Sequence, residues 1–336
     1  RPGGVVRRPA CGTGARRPDG STSSPARSHR RSGVTSEPLP VPTPRPLGSL
    51  GAIAPLAFGC WRFRDDDLPG AAAAVRTAVD AFAVPGARVL VDNADVYGER
   101  GQGAAESLLG RVLAAEAGLA PQILVATKVG IRPGGYDGSG RHIKEACDAS
   151  LRRLGVEVID LYQLHRVDLF TPVAETAAAL RSLRAAGKIR EVGVSHAPPA
   201  QLADLERSLP FPIAGVQAEY SLLDQRPLFD GTLDWCARRD AAPLAYSPLK
   251  SGRLAERGDD VRPELADLLD ALAHREGVVP EAVCLAFLAA HPSRPGPIVG
   301  SQQPERLVAA AAAPRVRLTR EDVYGLIGAA RGYAMP

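Results

Sequence analysis

Asp92, Tyr97, Lys128 and His165 carry side chains from which a proton-transfer site can be built. The apolar run RVLVD ends on Asp92, five residues before Tyr97, ILVATK ends on Lys128, and VIDLYQLH ends on His165. A metal site usually wants two or three His or carboxylate ligands of matching geometry, and this set does not supply them. A tyrosine titrates near 10 when unperturbed, so acid–base work near neutral pH requires help. A lysine ammonium beside the ring stabilises the phenolate and lowers that value. An aspartate keeps the ammonium charged and in place. A histidine can orient a carbonyl oxygen or share the proton. Taken singly, Asp92 suits a cap or an ion pair, Lys128 a solvated loop, and Tyr97 or His165 a packed core. Their succession on neighbouring strand ends is what points to a site.

The elements that must position these residues form a repeated pattern. Short apolar runs at 55–59, 88–92, 123–128, 158–165, 189–195, 213–219, 243–247 and 297–301 are mostly rich in Val, Leu and Ile, as strands buried on both faces should be. Helical spacing is predicted over 71–83, 104–117, 143–154, 173–186, 199–209, 228–239, 264–275, 304–312 and 320–331. Several of these segments start at a Pro or stop at a Gly, and Thr319 is a candidate cap for the last. Eight β-then-α units suit an α/β fold of the (β/α)8 TIM-barrel type, in which function sits at the C-terminal strand ends. A doubly wound open sheet is the competing architecture. It would need a Gly-rich turn after its first strand, and GxGxxG is absent there, as is a phosphate-binding GxxxxGK[ST].

The chain has 336 residues, 45% hydrophobic and 23% charged, an ordinary globular balance. Its net charge of +4 is unevenly spread. Residues 1–46 hold nine Arg, one Asp and one Glu, a local charge of +7, whereas 47–336 carry 32 basic and 35 acidic side chains, net −3. A nucleic-acid role is therefore not expected of the main domain. Nine Pro and six Gly among residues 1–46 predict a disordered tail, dispensable through residue 45, before a single domain over 47–336. The tail lacks the apolar core of a secretory signal, and its prolines oppose an amphipathic transit helix. An apolar run of nine residues, 282–290, is too short for a membrane span, which needs about 20. Five scattered cysteines without a CxxC pair read as a reduced, cytoplasmic chain.

The strings VDNADVYG (91–98), VATKVGI (125–131), SLRRLGVEVIDLYQLHRVD (150–168), LRAAGKIREVGVSH (183–196), VQAEYSLL (216–223), AYSPLKSGRL (245–254) and PIVGSQQPERL (297–307) occur in an order and spacing that resemble the aldo/keto reductase superfamily. The resemblance covers about residues 47–331 and is greatest to its bacterial general oxidoreductases. It implies a tetrad of Asp92, Tyr97, Lys128 and His165, with Tyr97 the general acid for reduction of a small-molecule aldehyde or ketone. It implies NADPH, with NADH the alternative, bound without a Rossmann fold. Ser195 and Gln217 would hold the nicotinamide carboxamide, and Tyr246 would stack on its ring. Ser247, Leu249 and Gly252 would line the pyrophosphate path, Ser301 and Arg306 would face the 2′-phosphate, and Trp61 would wall the substrate pocket.

Three positions depart from the family pattern, one of them Val167, in HRVD where HRPD is commoner. His196 stands where Asn usually follows the serine, and Gly300 stands where many members place a Lys, so an NADPH preference leans on Arg306. YSPLK (246–250) fits the YxxxK pair of short-chain dehydrogenases, but Pro248 opposes the helix that pair requires and the Rossmann glycines are missing. The alternative from another functional class is a non-catalytic cofactor-binding subunit on the same fold. Such a module has no need of Tyr97 and Lys128 together.

Overall fold

The eight Val-, Leu- and Ala-rich runs form strands that find partners on both sides. The computed structural model describes residues 37–64, 66–99 and 101–333. The strands are β1 (Ala57–Gly59), β2 (Ala87–Asp92), β3 (Ile123–Val129), β4 (Ile159–Leu164), β5 (Ile189–Ser195), β6 (Gly215–Glu219), β7 (Ala242–Tyr246) and β8 (Gly296–Val299). Each pairs in parallel with its neighbour, and β8 returns to β1 through Ile298↔Ala57, closing a (β/α)8 barrel. Helices cover the outside, among them α1 (Leu68–Phe82), α2 (Ala104–Ala115), α3 (Gly140–Leu154), α4 (Val173–Ala185) and α5 (Pro199–Ser208). They continue with α6 (Thr232–Arg239), α7 (Pro263–Glu276), α8 (Pro280–Ala289), α9 (Pro304–Ala310) and α10 (Arg320–Arg331).

Strand periodicity sorts the side chains. Leu90, Leu124, Ala126, Leu161, Ala242, Leu244 and Ile298 belong to one apolar cluster, with Leu47, Leu50 and Ile53 beneath them. Val89, Val91, Val125 and Val192 join the larger cluster shared with the helices. Two residues beyond Leu90 on the same face is Asp92; beyond Ala126 is Lys128; beyond Leu161 are Gln163 and then His165. The barrel interior thus runs from apolar at its N-terminal end to polar at its C-terminal end.

Most element ends follow local chemistry. Thr319 and Asp322 form a reciprocal capping box at α10. Gly155, at φ 64°, stops α3 in the left-handed conformation. The helix expected over 228–239 is divided into a single turn, Arg226–Phe229, and α6, because Gly231 adopts φ 86° between them. Helix α8, absent from the expected set, is buried on every side, so it shows no amphipathic stripe.

The expected tail boundary at 46 requires correction. Pro38 bridges Thr319, Leu39 N–H donates to Leu318 O at 2.7 Å, and Arg45–Pro46 pairs with Ala52–Ile53. Arg45 is 3% exposed and lies against Gly296, where a Cβ would collide with the guanidinium. The alternating prolines of 38–46 favour extended backbone. That suits a strap laid along the domain, although composition alone reads as tail. The rest of the expected tail, 1–36, lies outside the described residues, as does Cys11. Cys60, Cys147, Cys236 and Cys284 are buried free thiols. Among the described residues no helix is long and apolar enough to cross a membrane.

Candidate active site

At the polar end of the barrel the Lys128 ammonium is fully buried and donates to three acceptors. They are Asp92 Oδ2 at 2.7 Å, Asn93 O at 2.8 Å and Tyr97 Oη at 3.2 Å. Three N–H donors thus meet three oxygens, and one of them is the tyrosine hydroxyl. The other Asp92 oxygen accepts from Gln217 Nε2 at 2.9 Å and Gln163 Nε2 at 3.3 Å. Adjacent strands supply this cluster because β2 and β3 pair in register Asp92↔Ala126, and β3 and β4 in register Lys128↔Gln163. Tyr97 is brought over the lysine by a tight turn. Its N–H donates to Ala94 O at 3.1 Å, and its own carbonyl accepts from Ala105 N–H at the start of α2 at 3.0 Å. The His165 ring meets the Tyr97 ring edge-on at 5.6 Å.

The electrostatics refine the expectation. Burial pushes the Tyr97 hydroxyl above its ordinary value, and nearby Lys128 only partly opposes this. The expected net lowering therefore does not hold in the resting protein: Tyr97 keeps its proton, with the Lys128 ammonium 3.2 Å from its oxygen. Burial also works against the Lys128 charge, but Asp92 and Tyr97 outweigh it and hold the ammonium above its usual range. His165 is driven down to about 2 by burial, with Lys128 and Arg166 adding to the effect. It is a neutral imidazole throughout the physiological range, able to orient an oxygen but not to carry the proton.

A cleft of about 500 Å³ opens above this cluster. Its wall includes every residue expected at the site except Lys128, which lies beneath. Asp92, Tyr97 and His165 form the floor, and Trp61, 58% exposed, stands at the edge. Ser195 and Gln217 lie on one side, and the Ser195 hydroxyl is buried without a partner. Tyr246, Ser247, Leu249 and Gly252 line the segment after β7, where Ser247 at φ 51° and Gly252 at φ 104° bend the chain around the cleft. Ser301 and Arg306 line the far end, together with Glu305. The Arg306 side chain is exposed, and Ser301 Oγ accepts from Gln303 N–H at 3.2 Å.

Several contributors were not singled out from the sequence. Gln163 shares the inward face of His165 on β4, two residues away, and that spacing could have flagged it. Arg166 lines the cleft and donates to His165 O at 2.7 Å; its position beside His165 was the available signal. Arg62 donates across the cleft edge to Ser251 O at 2.8 Å. Lys250 of the YxxxK look-alike is engaged by Glu219 and Asp224 at 2.7 and 3.1 Å, and no helix joins it to Tyr246. It anchors the segment after β7.

The comparisons agree with this geometry. The model of the Aldo/keto reductase family matches residues 55–327. The chain is 41% identical over 306 residues to a 6-dehydroglucose reductase of Novosphingobium aromaticivorans, covering 89% of this chain and 99% of the relative. It is 32% identical to a 6-dehydroglucose reductase of Agrobacterium fabrum, covering 83% and 95%. An aldo-keto reductase from Klebsiella pneumoniae, solved in complex with NADPH, superposes with a TM-score of 0.73 at 26% identity, covering 88% of this chain and 96% of that one. With a closed parallel barrel, a buried Asp–Lys–Tyr cluster at its C-terminal end and a family match along nearly the whole domain, the chain belongs to the aldo/keto reductase family of oxidoreductases.

Proposed function

We propose that this protein reduces the carbonyl of a polyhydroxylated aldehyde with NADPH, and that Tyr97 is the general acid. The observation that carries the reading is the Lys128 ammonium, shared between Asp92 Oδ2 and the Tyr97 hydroxyl. Tyr97 holds its proton at rest because burial disfavours the phenolate. As negative charge develops on a carbonyl oxygen, the hydroxyl donates, and the phenolate forms beside an ammonium already in position. Asp92 and the Asn93 carbonyl keep that ammonium charged and oriented. Neutral His165 offers a hydrogen bond to the same oxygen without competing as the acid.

The residues present fit a nicotinamide cofactor. The buried, unpartnered Ser195 hydroxyl lies at the cleft wall. Gln217 spends its amide N–H on Asp92, which leaves its carbonyl oxygen as an acceptor for a carboxamide N–H. Tyr246 would face the nicotinamide ring; Ser247, Leu249 and Gly252 the pyrophosphate; Ser301 and Arg306 the 2′-phosphate. NADPH supplies the hydride when bound. The Klebsiella complex and Arg306 favour NADPH, while Gly300 offers no second cation.

The substrate class rests on the two relatives named 6-dehydroglucose reductase and on the cleft itself. Arg166 presents donors suited to hydroxyl oxygens, and Trp61 presents an exposed flat face on which the C–H side of a sugar can lie. The test is a panel of aldehydes including 6-dehydroglucose, followed by NADPH absorbance with NADH in parallel. The Tyr97→Phe variant should lose about 10²–10⁴-fold in turnover with cofactor affinity nearly intact. Retention of more than about a tenth of turnover would remove Tyr97 as the acid. Cofactor binding with no turnover on any aldehyde would instead favour a non-catalytic cofactor-binding subunit.

A further inference from the structure

His196 occupies the position after Ser195 where asparagine is usual, and its ring does not line the cleft. It turns instead to Tyr246, placing Nδ1 3.1 Å from the hydroxyl with the two rings tilted 41°. Its backbone adopts φ 55°, a left-handed conformation tolerated by few residue types, histidine among them. The His196 N–H fixes that conformation by donating to Gln217 O at 2.7 Å.

The Tyr246 hydroxyl has a second neighbour. The Arg166 guanidinium, which lines the same cleft, acts on it through its charge. That positive charge favours the hydroxyl with its oxygen lone pairs toward Arg166 and its single proton directed to His196 Nδ1. This direction requires an unprotonated Nδ1, and therefore a neutral imidazole with its proton on Nε2. Protonation of the imidazole would put a donor at Nδ1 opposite the hydroxyl proton and add a second positive charge near Arg166.

We propose that His196 is a positioning residue: through the Tyr246 hydroxyl it fixes the ring that faces the nicotinamide, and it does so only as the neutral imidazole. The proposal rests on the cofactor reading above for Tyr246. The charged groups facing His196 come from two places, Arg166 after β4 and Glu219, Asp224 and Arg226 at and after the end of β6, and Tyr246 on β7 is the titratable hydroxyl against it. Arg226 is chelated by Asp224 at 2.8 and 2.7 Å, which blunts its effect, and Arg166 is the cation that bears most directly. Burial, Arg166 and Arg226 hold His196 below the ordinary histidine range, with Glu219 and Asp224 opposing, so the neutral form prevails at neutral pH. Acidification should therefore release Tyr246.

The experiment measures NADPH affinity by fluorescence quenching from pH 5 to 8, with steady-state kinetics in parallel. The variants are His196→Gly, which accepts φ 55° without strain, Tyr246→Phe, the double variant, and Tyr246→Ala. Loss of one hydrogen bond should raise the NADPH Kd about threefold to tenfold in His196→Gly at neutral pH, with a smaller change in kcat. Tyr246→Phe should show the same loss, and the double variant should lose no more than either single one. Wild-type affinity should fall toward that of the glycine variant as the pH drops below the ordinary histidine range. Additive losses, or the same pH dependence with and without the imidazole, would overturn the role of His196. Full NADPH binding by Tyr246→Ala would sink both this inference and the cofactor reading of Tyr246. A weakened Ala variant beside an unaffected His196→Gly would overturn this inference alone.

Discussion

Replacing Lys128 with Met separates the architecture of the site from its chemistry. The substitution keeps most of the volume and removes the charge. In the wild type the ammonium is fully buried and satisfies Asp92 Oδ2, Asn93 O and the Tyr97 hydroxyl at 2.7–3.2 Å. Without it, Asp92 remains a buried carboxylate, with Gln163 and Gln217 bonded to one oxygen and nothing on the other. Breaking a buried pair from one side costs about 3–5 kcal/mol, so a large fall in stability is expected near neutral pH. The chemical loss is separate: with no ammonium beside it, the Tyr97 phenolate becomes harder to form, and turnover should fall at least about 100-fold. The double variant Asp92→Asn/Lys128→Met should recover much of the stability and none of the activity. Denaturant melts at pH 5 and 8, with single-turnover reduction on the folded fraction, measure both quantities. A single variant within about 1 kcal/mol of wild type at both pH values, well short of the buried-pair cost, would refute the argument, as would one retaining a tenth of turnover.

Three further outcomes are expected. Arg306→Ala should weaken NADPH by about 1.5–3 kcal/mol, the range for hydrogen bonds to a charged group, and leave NADH almost unaffected; fluorescence titration of both cofactors checks this, and equal losses would assign Arg306 to the adenine or the fold. Asp95, whose carboxyl burial and Glu106 push up to about 7, has one oxygen buried without a partner. Its folded value exceeds its unfolded one, so the fold loses stability as pH rises from about 4 to about 7 and the loss is complete above that. Asp95→Asn should therefore raise Tm at pH 8, with the gain vanishing toward pH 4. A deletion through 46 should lower Tm relative to one that ends at 36, because it takes the strand at Arg45–Pro46 and the bridge at Pro38.

The barrel was legible because each of its eight strands reads as a short apolar run buried on both faces, a signal that depends on local sequence alone. Helix α8 was not, since a segment buried on every side has no polar face to set its period. The strap at 37–46 was hidden for the opposite reason. Its prolines remove helical and central-strand signals, while the partners that order it, Thr319 and Ala52–Ile53, lie elsewhere in the chain.

The site shows the same division between what a position fixes and what its neighbours decide. Asp92, Lys128 and His165 were readable as polar ends of apolar runs, because period-two alternation carries each inward face from Leu90, Ala126 and Leu161 to the rim. Their protonation was not readable, since it depends on desolvation summed over surrounding elements; this is why Tyr97 is raised despite the adjacent lysine. Gln217 joins the two levels. The family resemblance implies a cofactor role for it, yet its amide also holds the carboxylate that fixes Lys128. A change at Gln217 should therefore perturb the proposed nicotinamide end of the cleft and the proposed proton donor together, through a chain of three hydrogen bonds that ends on the Tyr97 hydroxyl.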